Sequence, residues 1–243
     1  MKGFTSLNNC GNTCFMNSVL QCLVHIPELN VWLDSYDKDN MLAKEYNDLR
    51  KLMLQGHNGI SPMRFSYVMY HLLPFKQHQH EDAHEFFMYM LDALQCPLFL
   101  GKQVSVIDNT RTDETFQSIE LPIVATTLDG CMNAYFQKEE VTWNNKKVMK
   151  HFEIVQFPQV LCITLKRFNN QNTKNNTLVE IPIIYKEYEL MSVCNHYGNT
   201  QVGHYTSCVF INGWYEFNDD RVFPIKSPST PNAYFLVFRK KTL

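Results

Sequence analysis

Residues 9–25 read NCGNTCFMNSVLQCLVH. The opening of this stretch, with Asn9, Gly11, Asn12 and Thr13, is made of turn-forming residues. From Cys14 onward apolar residues recur at helical spacing, with Phe15, Val19, Leu20 and Leu23 on one face. A tight loop therefore hands over to a buried helix at or just after Cys14. A thiol in the first turn of a helix sits near unpaired N–H groups and the positive end of the helix dipole. Both favour the thiolate, the reactive form of cysteine. The plainer use of the same residue is a small side chain filling a loop-to-helix junction.

Outward from this helix the pattern stays helical to about residue 100. Residues 41–54 carry Leu42, Tyr46, Leu49 and Met53 at i, i+4, i+7 and i+11. Ser61-Pro62 predicts an N-cap followed by proline at the first helical position, opening a helix through Phe65, Val68, Met69 and Leu72. Asp82 and Glu85 have capping-box spacing ahead of Phe86, Phe87, Met90, Leu91 and Leu94. Beyond residue 100 the signal changes to strands. Segments 104–106, 116–121, 147–157, 160–168, 188–194, 205–211, 214–217 and 233–238 are rich in β-branched and aromatic residues. Asn144-Asn145 and Asn212-Gly213 read as hairpin turns. One helix interrupts, capped by Thr127 and carrying Leu128, Cys131, Met132, Tyr135 and Phe136. The polar stretch 169–177 reads as an exposed loop. Helices first and strands later predict an α+β fold, not a doubly wound parallel sheet.

The 243 residues hold 22 Lys+Arg against 24 Asp+Glu, so no extended basic surface for nucleic acid is expected. No apolar run is long enough to span a membrane, and the first residues carry no secretory signal. These features predict a soluble intracellular protein, in cytoplasm or nucleus, with reduced thiols. Its eight cysteines include no C-x-x-C pair, so no four-cysteine zinc site and no metal or other cofactor is expected. Seven of the eight are read as buried apolar filler.

A nucleophilic thiol needs a base, and the base needs an orienting group. His204 stands in Gly203-His204-Tyr205, ahead of an apolar strand, and Asn218 follows at the end of WYEFN, before Asp219 and Asp220. Two strands joined at Asn212-Gly213 would bring the imidazole and the Asn/Asp cluster together at one sheet end. By themselves these residues also fit a histidine beside an ordinary solvated turn.

These segments resemble the ubiquitin-specific proteases. GNTCFMNSVLQCL (11–23) is similar to that family's cysteine box. Tyr197-Gly198, Gly203-His204-Tyr205 and WYEFNDDRV (214–222) resemble its histidine box. EDAHEF (81–86) resembles its acidic motif, VLCITLKRF (160–168) its central strand and AYFLVF (233–238) its last strand. The matches run in the family's order over nearly the whole chain. The resemblance implies a papain-like fold with a helical thumb, a mixed palm and short β fingers. It implies one catalytic domain over residues 1–243, with the thumb at about 1–100 and palm and fingers at about 101–243. It implies a thiol protease that cuts after the C-terminal Gly-Gly of ubiquitin in conjugates; the oligomeric state is left open by the sequence, with a monomer expected.

Carried over by motif, Cys14 is the nucleophile and His204 the base. Asn218 falls at the third position, with Asp219 as its helper. Asn9, five residues before Cys14, supplies an oxyanion donor; the same residue also suits a loop Asn bonding its own backbone. Asp82 and Glu85 would bind the arginine-bearing ubiquitin tail, although their spacing equally serves a helix cap. His196 would line the tail channel or stand in a surface loop. Gly203 would leave room for the Gly-Gly backbone beside Tyr205. The sequence departs from the family at the finger tips. Residues 106–111 and 141–148 stand where many members carry zinc-binding cysteine pairs, and have none. Two other readings stay open, a protease for another ubiquitin-like modifier and a weakly active ubiquitin-binding module.

Overall fold

The computed structural model describes residues 3–37, 39–169, 173–199 and 201–241. Five helices come first: α1 (Cys14–Val24), α2 (Pro27–Asp34), α3 (Met41–Gln55), α4 (Met63–Leu72) and α5 (Ala83–Leu94). Every residue of α1 is buried. It packs on strands on one side and on α5, α2 and α3 on the other, so it has no solvent face to keep polar. Helix ends follow local chemistry. Asn40 caps α3 by accepting the Ala43 N–H, and Gly56, at φ 84°, ends it in the left-handed conformation. Asp82 caps α5 through the Glu85 N–H, and Thr127 caps α6 (Leu128–Phe136) through the Gly130 N–H. The expected cap at Ser61 is displaced by one residue. Pro62 is the cap and α4 starts at Met63, while the Ser61 hydroxyl accepts a hydrogen bond from Asn8.

The strands form two sheets. The smaller is antiparallel, in order β2 (Thr110–Phe116), β1 (Gly101–Ile107), β5 (Lys146–Gln156), β4 (Glu139–Trp143). Its hairpin tips fall within residues 106–111 and 141–148. Asn144 and Asn145 turn the second tip at φ 50° and 60°, as the sequence predicts for a tight hairpin. No cluster of His, Cys, Asp or Glu suited to a metal occurs among the described residues.

The larger sheet runs β11 (Arg221–Ile225), β10 (Trp214–Asn218), β9 (Gly203–Phe210), β8 (Tyr188–Gly198), β12 (Ala233–Lys240), β6 (Val160–Lys166), β3 (Ile119–Pro122). A two-residue strand, β7 (Ile184–Tyr185), also pairs with β8. Among the described residues β3 and β6 are parallel and the other pairs antiparallel. This sheet is covered on both faces. In β6, Val160 and Cys162 point into the core shared with the helices, while Leu161, Ile163 and Leu165 point into a second core beneath α6. That is why VLCITL reads as a continuous apolar run instead of an alternation. No helix among the described residues is long and apolar enough to cross a membrane.

Candidate active site

The loop before α1 is built around the Asn9 side chain. Its Oδ1 accepts from the N–H groups of Gly11 at 3.0 Å and Thr13 at 3.1 Å. The Cys10 N–H donates to Thr13 Oγ1 at 2.9 Å. Gly11 sits at φ 103°, and a Cβ there would lie 2.4 Å from His78 Nδ1, so a side chain is excluded on both counts. Asn12, at φ 56°, donates to the His78 carbonyl at 2.7 Å. These turns deliver Cys14 as the first residue of α1, 4% exposed. Its N–H belongs to the first helical turn, whose amides have no acceptor within the helix.

His204 is the second residue of β9 and Asn218 the last of β10. The hairpin through Asn212-Gly213 thus places both at one sheet end, beside the start of α1. His204 Nε2 and Asn218 Oδ1 are 2.8 Å apart. Since Oδ1 only accepts, Nε2 carries a hydrogen, which leaves Nδ1 for the sulfur. The imidazole pKa is raised to about 9, first by a hydrogen bond with Cys14. Burial opposes the rise, and the Asn218 bond and the Asp219 charge add to it. The structure therefore brings His204 into a hydrogen bond with Asn218, with Cys14 the first cause acting on the imidazole.

Asp219 has a second place besides the one expected. It turns the chain at φ 49°, and its carboxylate oxygens go to two asparagines. Oδ2 accepts from Asn9 Nδ2 at 2.9 Å and Oδ1 from Asn17 Nδ2 at 2.8 Å. Its charge adds least to the rise at His204. Asn9 thus takes the loop-backbone role its context suggested. Its oxygen binds the loop backbone, and its amide, anchored by Asp219, keeps a second N–H free of that anchor.

A cavity of about 280 Å³ leads to Cys14, lined among others by Glu81, Asp82, Phe168, His196, Gly203 and Tyr205. Asp82 reaches it with its carboxylate already in use. Oδ1 accepts the Glu85 N–H at 2.9 Å, and Oδ2 accepts the hydroxyls of Tyr234 at 2.7 Å and Tyr205 at 3.3 Å. The helix-cap reading of Asp82 is therefore realised in full. Glu85 is exposed and does not line the cavity; burial, then the charges of Asp82 and Glu81, raise its carboxyl pKa. Glu81, adjacent in the same motif, lines the cavity instead, with one oxygen accepting the Lys76 N–H at 2.9 Å. Phe168 and Tyr234 were also missed. Phe168 ends the strand motif 160–168 and Tyr234 is the second residue of the motif 233–238, and neither carries a charge to mark it.

His196 is not a surface-loop histidine. It lies on β8, 4% exposed, among the rings of Phe168, Tyr205 and Tyr234. A Cβ on Gly203 would lie 2.0 Å from His196 Nε2. The space on the Cβ side of Gly203 is thus taken by this ring, while Gly203 itself lines the cavity. Gly203→Ala is expected to displace the ring and cost about 1–3 kcal/mol, as overpacking does. A denaturation midpoint equal to that of the unsubstituted protein would show that the ring moves aside freely.

Burial lowers the His196 pKa to about 4, helped by Lys174, and burial alone lowers that of His25 to about 4. Both stay neutral in the folded chain while an unfolded histidine protonates near 6.5. Each therefore contributes stability above pH 6.5 that is lost as pH falls toward 4. His204 runs the other way, its contribution being complete below 6.5 and lost as pH rises through about 9. Between pH 7 and 5, each depressed histidine is expected to remove about 2 kcal/mol. Urea midpoints at the two pH values check this, since His25→Gln should shrink the acid loss by that amount.

A sequence model of the family described as ubiquitin carboxyl-terminal hydrolase matches residues 5–238. Among individual proteins, the chain is 24% identical to a probable ubiquitin carboxyl-terminal hydrolase 8 of Schizosaccharomyces pombe, over 99% of this chain and 66% of that protein. It is 27% identical to ubiquitin carboxyl-terminal hydrolase 2 of Homo sapiens, over 98% of this chain and 55% of that protein. The chain thus spans two thirds or less of the length of these relatives. Its fold superposes on a chain of the SAGA DUB module Ubp8/Sgf11/Sus1/Sgf73 bound to monoubiquitin with a TM-score of 0.84. That match has 22% identity and covers 100% of this chain and 70% of the other.

Proposed function

The chain belongs to the ubiquitin carboxyl-terminal hydrolase family, and from that premise we propose that it is a thiol protease releasing ubiquitin from conjugates by cutting after the C-terminal Gly-Gly. The observation that carries this reading is the His204–Asn218 hydrogen bond, with Cys14 acting first on the imidazole and lining a cavity that bears carboxylates. The extended tail lies in that cavity, its cationic side chains toward Glu81 and Asp82. With the shared proton held on His204, the Cys14 sulfur attacks the last glycine's carbonyl carbon. The oxygen takes up negative charge beside the Asn9 amide and the Cys14 N–H; one such donor is worth about 10²–10³ in turnover. His204 gives its proton to the departing amine as the C–N bond breaks, leaving a thioester. It then takes a proton from water, whose oxygen attacks the thioester and frees the tail as a carboxylate. Every group in this sequence comes from one chain, which fits one catalytic domain working as a monomer.

The test uses fluorogenic C-terminal amides of ubiquitin and of other ubiquitin-like modifiers, beside Cys14→Ala. Release from the ubiquitin amide by the unsubstituted chain alone is the expected result. Release only from another modifier would move the assignment to that modifier. Release from none would leave a binding module.

A further inference from the structure

Cys14 and Asn17 are three residues apart on α1 and share a face of the helix. Asn17 is 3% exposed, and a polar side chain at that depth needs partners. All three groups facing its amide are acceptors. Asp219 Oδ1 lies 2.8 Å away, and the carbonyls of Leu7 and Asn8 each lie at 3.3 Å. Only the nitrogen side of the amide can face them, which fixes its orientation. Its oxygen has no hydrogen-bond partner among the described residues, so the grip comes entirely from Nδ2. The second oxygen of Asp219 holds Asn9 Nδ2, and the Asp219 carbonyl accepts the Leu7 N–H at 3.1 Å. One buried amide therefore meets both routes to Asn9, the carboxylate that anchors its side chain and the main chain that leads into it.

We propose that Asn17 is a positioning residue of the oxyanion site, holding Asp219 and residues 7–8 so that the Asn9 amide stays aimed beside Cys14. This rests on the protease reading above. Asn17 makes no contact with substrate, so its loss acts through Asn9 and falls on kcat. A purely structural role would instead lower stability and add to any other lesion.

The experiment is a double-substitution cycle on the ubiquitin C-terminal fluorogenic amide. Asn17→Ala is expected to lower kcat about 10–100-fold, part of the value of one oxyanion donor, with KM within twofold. In the Asn9→Ala background the same change is expected to cost less than threefold. The rate of Cys14 alkylation by iodoacetamide, which needs no oxyanion site, is expected to stay within twofold. Additive losses, or an unchanged kcat, overturn the proposal. Should Asn17→Ala not fold, Asp219→Asn takes its place in the cycle under the same criteria, since it keeps the shape and weakens the link between the two asparagines. An inactive unsubstituted chain overturns the protease reading and this role together. An active one with additive losses overturns this role alone.

Discussion

His204→Ala is expected to lower kcat/KM on ubiquitin conjugates by about 10⁴-fold or more, with ubiquitin binding retained. In the proposed reaction the imidazole has two tasks that no neighbour can take over. It holds the proton of the Cys14–His204 pair and delivers it to the leaving amine. Removing one member of such a constellation costs nearly as much as removing all of it, because the members act as a unit. The pH profile of the unsubstituted chain tests the same point. The His204 pKa is raised to about 9, first by its bond with Cys14. Its protonated form is the one the first step uses, so kcat/KM should hold through neutral pH and fall as pH rises through about 9. A profile already falling below pH 7 would show that the proton does not reside on His204.

Asn218→Ala is expected to lower kcat by up to about 10⁴-fold, on the order seen when an orienting group is lost. The 2.8 Å bond to His204 Nε2 fixes the ring plane and leaves Nδ1 facing the sulfur. It is also one of the causes that raise the imidazole pKa, so its loss should move the alkaline limb to lower pH. Asp219→Ala should cost less and move the limb less, because its oxygens serve Asn9 and Asn17. The reverse order, in both rate and limb, would transfer the orienting role to Asp219.

The elements legible in the sequence were those with strong periodicity or a chemical cap. The helix from Cys14, the caps at Asp82 and Thr127, and the doubly buried strand from Val160 emerge much as their residues predict. Those missed lack such signals. In α2 only Leu29 and Leu33 are buried, too few for a periodic face. In β2 only Phe116 is buried, so no alternation exists to read. β11 contains Pro224, which a strand tolerates at the sheet edge, where β11 lies. At the site, Cys14, His204 and Asn218 were found from residue type and motif. Geometry decided the rest. The left-handed turn at Asp219 brings its carboxylate to Asn9 and Asn17. Gly203 is glycine because a histidine ring lies over it. Glu81 lines the cavity and Glu85 does not, since one precedes the helix start and the other stands in its first turn. None of these directions is written in residue spacing.

Cys10 supplies a built-in control for the central claim. It is half-buried, while the other seven cysteines are buried, so chance labelling should strike it first. The most direct measurement is reaction of the chain with ubiquitin bearing a C-terminal thiol-reactive electrophile, followed by mass mapping of the adduct. A single adduct on Cys14 is expected, lost in Cys14→Ala and kept in Cys10→Ala. No adduct, or one on Cys10, would contradict the assignment of Cys14 as the nucleophile for the ubiquitin tail.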